Sequence, residues 1–207
     1  MEFHDRIETL AQFREVMRPP SHLVTDKETD RFDHYCRDFI ARSPFVLVAS
    51  TDGYGKIDVS PKGDAPGFVE VLDDTTLVIP DRPGNHRTDT FLNVLEHPFV
   101  GLIFLIPGHR NTLRVRGQAE IVRDLDVRER LVANGKVPQL ALAVHLTMAY
   151  FHCAKCIIRS DLWAAETAAE PGDERLLANA MVRHGALDIS VGEMHDIIVD
   201  DEREHLY

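Results

Sequence analysis

The chain has 207 residues, of which 44% are hydrophobic, enough to fill a sizeable core, and its 34 acidic and 23 basic side chains leave a net charge of −11. That balance argues against broad binding to nucleic acid or to an anionic membrane, and no apolar run approaches the roughly 20 residues of a membrane span. The start MEFHDRIE is acidic and does not read as a secretory signal, so a soluble, cytoplasmic protein is expected.

In chain order, Ile7, Leu10, Phe13 and Val16 fall at helical spacing and stop at Arg18-Pro19-Pro20, which predicts a short helix within residues 5–17. Thr25 with Glu28 reads as a capping box, and Phe32, Tyr35, Cys36, Phe39 and Ile40 continue an apolar stripe, predicting a long helix that Ser43-Pro44 ends. FVLVAST then reads as a buried strand meeting the turn signal Asp52-Gly53, with a return strand from Ile57 to Pro61. Phe68 to Leu72 and Thr75 to Ile79 form a hairpin about Asp73-Asp74.

Pro80, Pro83 and Gly84 stop that strand, and Arg82, Asn85, His86 and Arg87 crowd the loop ahead of a helix from Thr88 to Glu96. These are hydrogen-bond donors, and Thr88 is placed to cap a helix whose free N–H groups favour an anion. Charge supports this. From Arg82 to Gln118 there are five arginines against Asp89 and Glu96, a net +3, while the rest of the chain holds 18 basic and 32 acidic residues. A basic island in an acidic chain suits a compact anionic ligand such as a phosphate; a solvated loop is the alternative.

Strands follow at Phe99 to Ile106 and Thr112 to Val122. The second alternates Leu113, Val115, Gly117, Ala119 and Ile121 with polar partners, as a barrel wall requires. Leu125 to Asn134 reads as a helix, Leu140 to Tyr150, with Leu142, Val144, Leu146 and Met148 in alternation, as a last strand, and Phe151 to Arg159 as a helix containing Cys153 and Cys156. Three cysteines cannot all pair within one chain, and this Cys-x-x-Cys lacks the second pair that zinc needs, so helical packing is the simpler account of it. Ala164 to Asp173 reads as a surface link, and Ser190 with Glu193 caps a last helix carrying Met194, Ile197 and Ile198. Successive strands joined by short turns predict a closed or partly open antiparallel barrel, and no GxGxxG, P-loop, HExxH or Ser-His-Asp order competes.

The runs DRPGNHRTD, LEHPFVGLIFLIPG and TLRVRGQA, together with Ser43 to Lys62 and Phe151 to Trp163, resemble the flavin-binding core of pyridoxamine 5'-phosphate oxidase-like proteins, in particular a branch of FMN-dependent enzymes without an assigned substrate. The resemblance covers roughly two thirds of the chain. It implies one mainly β domain over residues 1–207, an FMN-binding split β-barrel of antiparallel Greek-key type, with a helical segment 1–42, a barrel core 43–150 and a helical segment 151–207. It further implies a homodimer with FMN at the subunit interface, acting as an oxidoreductase on a small-molecule substrate or electron donor. The cofactor contacts implied are Ser60, Pro61 and Lys62 for ring and phosphate, Arg82, Asn85, Arg87 and Thr88 for the phosphate, Thr112, Leu113 and Arg114 for the ring edge, and Trp163 near the flavin or the interface. No metal site and no catalytic residue is implied.

The end Glu204-His205-Leu206-Tyr207 departs from the Arg-Leu-x-Pro-type tail of true pyridoxamine 5'-phosphate oxidases, which puts vitamin B6 oxidation in doubt. Two other readings of the barrel stay open. One is a flavin-binding or electron-transfer module without a substrate of its own; the other is a haem or deazaflavin protein, with His109, His145 or His152 as axial ligand for haem. His86 and His109 are also candidate proton donors.

Overall fold

The computed structural model of the chain describes residues 1–164 and 175–207. The predicted surface link therefore lies, Ala164 apart, outside the described residues. Three helices precede the sheet: α1 (Leu10–Val16), the single turn α2 (His22–Thr25) and α3 (His34–Arg42). The long helix expected from Thr25 is corrected here. Asp33 caps α3 by accepting from Cys36 N at 2.9 Å, and Thr25 instead ends α2. Tertiary pairing overrides the local capping signal. Thr29 and Ala149 exchange both main-chain bonds, at 2.9 and 2.8 Å, Lys27 Nζ donates to Phe151 O, and Phe32 N donates to Asp74 O. A helix through residues 27–32 would forfeit all of these. The stripe Phe32, Cys36, Phe39 and Ile40 is buried as its spacing predicts, while Tyr35 and the whole apolar face of α1 are exposed.

The sheet comprises β1 (Phe45–Thr51), β2 (Ile57–Gly63), β3 (Glu70–Val71), β4 (Thr76–Pro80), β5 (Phe99–Leu105), β6 (Thr112–Val122) and β7 (Ala141–His152). Helix α4 (Asp89–Glu96) lies between β4 and β5, and α5 (Leu125–Glu129) between β6 and β7. The latter is half the predicted length, because residues 133–136 close a turn through paired Ala133–Lys136 bonds. After the sheet come α6 (Lys155–Ser160), α7 (Leu176–His184) and α8 (Val191–Glu204), the last held by the predicted Ser190–Glu193 capping box.

All neighbours are antiparallel in the order β2-β1-β5-β6-β7-β4-β3. The chain crosses from β2 to β3 and β4 at the far side and returns to β5 beside β1, a Greek-key path. The sheet stays open at β2 and β3, so it is a split barrel, mainly β with flanking helices. Its curl nevertheless brings Lys62 of β2 and Asp81 after β4 to one cavity. Inside lie Phe32, Val48, Leu77, Leu102, Phe104, Leu113 and Val144.

The predicted alternation along β7 breaks at Thr147. Arg116 pairs with Met148 but Gly117 with Leu146, so one extra residue bulges out. Leu142 and Val144 are buried before it; after it the buried position shifts to Ala149. Gly117 permits the close approach, since a Cβ there would sit 2.3 Å from His145 O. Phe151 and His152, expected in a helix, belong to β7.

Candidate functional site

β4 ends at Pro80, where Asp81 N donates to Leu140 O at 3.0 Å and turns the chain into the loop of residues 81–88. Asn85 Oδ1 accepts from Arg87 N at 3.1 Å, an Asx turn, and His86 and Thr88 both take left-handed backbone, with φ of 55° and 54°. Non-glycine residues adopt that region at a cost of order 1–3 kcal/mol each, and such strain clusters at binding sites. Thr88 holds the N-cap position of α4, but its hydroxyl caps nothing, contrary to its expected capping role. The first-turn amides are thus left without a side-chain acceptor. The helix is pinned behind them: Asn93 Nδ2 donates to Ser50 Oγ at 2.9 Å, and Gly53 N to Glu96 Oε2 at 3.2 Å.

Two adjoining depressions open around this helix start. One, of about 220 Å³, is bordered by Ser60, Pro61, Lys62, Asn85, Arg87 and Thr88, with Thr90 at its base. The other, of about 370 Å³, lies between the loop and the segment 133–139 and includes Arg82, His86, Lys136 and Tyr207; Lys62, Asn85, Thr88 and Phe91 border both. Thr90 is 3% exposed and its Oγ1 has no hydrogen-bond partner among the described residues. A buried hydroxyl is rarely left so, and each such group calls for an explanation.

Charge in the larger cavity is organised by Asp64, whose side chain is 2% exposed. It accepts from Arg82 Nε at 2.6 Å, from the Tyr207 hydroxyl at 2.7 Å and from Ala65 N at 2.7 Å. Burial pushes this carboxyl up, but the hydrogen bonds from Tyr207 and Ala65 and the Arg82 guanidinium outweigh it, holding Asp64 below the usual carboxylate range. Asp81 goes the other way: burial raises it against the opposing pull of Lys62, His86 and Arg82. Arg87 is exposed and its Nε donates to Asp89 Oδ2 at 2.7 Å, leaving the rest of its guanidinium at the mouth of the groove. Lys136 Nζ donates to the main-chain oxygen of Tyr207.

Of the residues singled out in the sequence, Ser60, Pro61, Lys62, Arg82, Asn85, Arg87 and Thr88 therefore meet around these two depressions. Thr112, Leu113, Arg114 and Trp163 do not. Leu113 is fully buried in the core and Thr112 pairs with His152 at the far end of β7. Arg114 stacks over Tyr150, its Cζ 5.6 Å from the ring centroid, and Trp163 Nε1 donates to His109 O at 2.8 Å. β7 begins beside the larger cavity and runs 12 residues to this second cluster, roughly 35 Å along an extended strand. Thr90, Asp64, Lys136 and Tyr207 were not identified from sequence. Only the place of Thr90 two residues into the helix hints at a role.

The model of the family described as pyridoxamine 5'-phosphate oxidase matches residues 32–153, more than half of the chain and all of the sheet. The chain belongs to the pyridoxamine 5'-phosphate oxidase family. The loop, Lys62, Asp64 and Thr90 lie within the matched region, and Trp163, α7, α8 and Tyr207 lie beyond it. Among solved structures, HupZ of Group A Streptococcus is similar at 18% identity and a TM-score of 0.49, over 59% of this chain and 94% of that one. An FMN-binding protein from Syntrophomonas wolfei is similar at 12% identity and a TM-score of 0.46, over 56% and 82%. A protein from Clostridium acetobutylicum related to general stress protein 26, of the pyridoxinephosphate oxidase family, is similar at 14% identity and a TM-score of 0.43, over 59% and 88%. No curated protein matches the chain.

Proposed function

We propose that this member of the pyridoxamine 5'-phosphate oxidase family binds FMN and works as an FMN-dependent oxidoreductase on a small molecule. The observation that carries the reading is the groove that gathers Lys62, Asn85, Arg87 and the uncapped start of α4, with the unpartnered Thr90 hydroxyl buried beside it. That donor set fits a phosphate dianion. Asn85, Arg87, Thr90 and the first-turn amides hold the phosphate, and each charge-assisted bond contributes about 1.5–3 kcal/mol. Lys62 stands between the two depressions, where it neutralises the phosphate or the charge that gathers on the ring when it is reduced. Ser60 and Pro61 run alongside on β2, and Asp64 keeps Arg82 oriented toward the larger cavity. FMN supplies the redox chemistry, and the protein positions it and tunes its electronics.

The second cluster, Thr112, Leu113, Arg114 and Trp163, completes the site from another copy of the chain, because one copy keeps it a strand's length from the groove. Leu113 and Thr112 are buried, so their share is main-chain. Exposed apolar side chains flank the groove, Ile57 and Val59 on β2 and Leu92 and Leu95 on α4, and such a patch supports a homodimer whose interface covers the flavin.

The test is the absorption spectrum of the purified protein before and after adding FMN, repeated with Arg82 and Arg87 both changed to Ala. Flavin bands that bind to the parent and vanish in the double variant are expected. A protein that ignores FMN removes the site assignment, and a Soret band would favour the haem reading instead.

A further inference from the structure

The three cysteines divide by environment. Cys36 is 2% exposed within α3, and burial, with the Asp33 carboxylate beside it, pushes its thiol up to about 12, which makes it inert. Cys153 and Cys156 are both exposed, at the junction of β7 and α6. Packing does not account for them, since the buried residue of α6 is Ile157. Their spacing is set by backbone that the structure defines. The distance between the Cα atoms of residues i and i+3 depends on the dihedral angles of the two residues between them. Ala154 has φ −70° and ψ −8°, Lys155 is the first residue of α6, and Ile158 N donates to Ala154 O at 2.9 Å. Helical geometry then places the two Cα atoms about 5 Å apart, inside the roughly 4.4–6.8 Å that a disulfide spans.

We propose that Cys153 and Cys156 form a dithiol site, separate from the flavin groove, that undergoes thiol–disulfide exchange with a low-molecular-weight disulfide. In the first step the thiolate of one cysteine attacks a sulfur of the co-reactant, breaking its S–S bond and releasing one thiolate. In the second, the other cysteine attacks the protein-bound sulfur, forms the Cys153–Cys156 bond and displaces the remaining half. The protein loses two protons and two electrons, and the co-reactant takes them up and leaves as two thiols. Closure fixes the turn that leads from β7 toward Trp163 and its bond to His109.

Lys155 makes the test decisive, because trypsin cleaves after it and parts the two cysteines. The reduced full chain is incubated with oxidised glutathione, its free thiols are alkylated, and it is digested without reductant. The expected result is that the peptides 137–155 and 156–159 remain joined until dithiothreitol is added, and that Cys153→Ser and Cys156→Ser each stop at a single stable glutathione adduct. Two stable adducts on the parent, an unreacted parent, or a bond to a second copy would each overturn the proposal. FMN titration of both serine variants is expected to match the parent, so failure here is distinguishable from failure of the flavin reading.

Discussion

Thr90→Val deletes one oxygen and keeps the branched side chain. In the free protein this hydroxyl is buried without a partner, and a group in that state costs about 1–3 kcal/mol relative to one left in water. Valine avoids the cost, so the ligand-free variant is expected to gain about 1–2 kcal/mol, which at roughly 2–4 °C per kcal/mol for a chain of this size raises Tm by about 2–8 °C. With FMN bound the sign reverses. A hydrogen bond to a charged phosphate contributes about 1.5–3 kcal/mol, and its loss weakens binding roughly 10- to 100-fold. Thermal melting followed by circular dichroism reads the first effect, and quenching of flavin fluorescence during titration reads the second. A variant that melts lower than the parent and binds FMN equally well would refute the reasoning, because the hydroxyl would then be neither strained when free nor a ligand when bound.

Three further outcomes follow from the same geometry. Asp64→Asn removes the counter-charge of Arg82, whose side chain is 17% exposed; a cost of about 2 kcal/mol is expected, below that of a fully buried pair because Arg82 keeps some water. Since Asp64 is held below the usual carboxylate range, its contribution is complete above the unfolded value near 3.9 and is lost as pH falls through the folded value, so the gap in Tm between parent and variant should close in acid. Melting curves from pH 7 to pH 2 check this, and a gap that widens in acid would contradict it. Gly117→Ala forces a methyl to within 2.3 Å of His145 O at the bulge and is expected to cost about 1–3 kcal/mol or more, read as a lower urea midpoint; an unchanged midpoint would show that β7 yields freely. Finally, Arg87→Ala and Trp163→Ala break different halves of the proposed two-chain site. Each alone should bind FMN poorly, and refolding them together should restore roughly a quarter of the sites by forming mixed dimers; no recovery would mean that the second cluster is not shared between copies.

The elements that local pattern could settle were read closely. FVLVAST became β1 and Thr112 to Val122 became β6 with the predicted bounds, because an apolar run closed by a turn signal and a period-two alternation are properties of the stretches themselves. The capping box at Ser190 and Glu193 is equally local. The donors of Arg82 to Thr88 stand out as one run, the resemblance adds Ser60 to Lys62, and both stretches border the two depressions.

What failed depended on distant partners. The helix expected from Thr25 gave way to Thr29's pairing with Ala149, and the alternation of Leu142 to Met148 broke where Thr147 bulges opposite Gly117. Helix α7 carried no signal strong enough to predict it. Asp64, Thr90, Lys136 and Tyr207 come from separate stretches, none unusual in itself. They acquire meaning only when the open sheet curls far enough to bring the ends of β2 and β4 together, and the tail after α8 lays Tyr207 on Asp64. Composition and periodicity determine which residues are buried and which donors are at hand. Hydrogen bonds and ion pairs across long chain separations decide which of those donors are satisfied, and among the described residues of the α4 start the buried one left without a partner is Thr90.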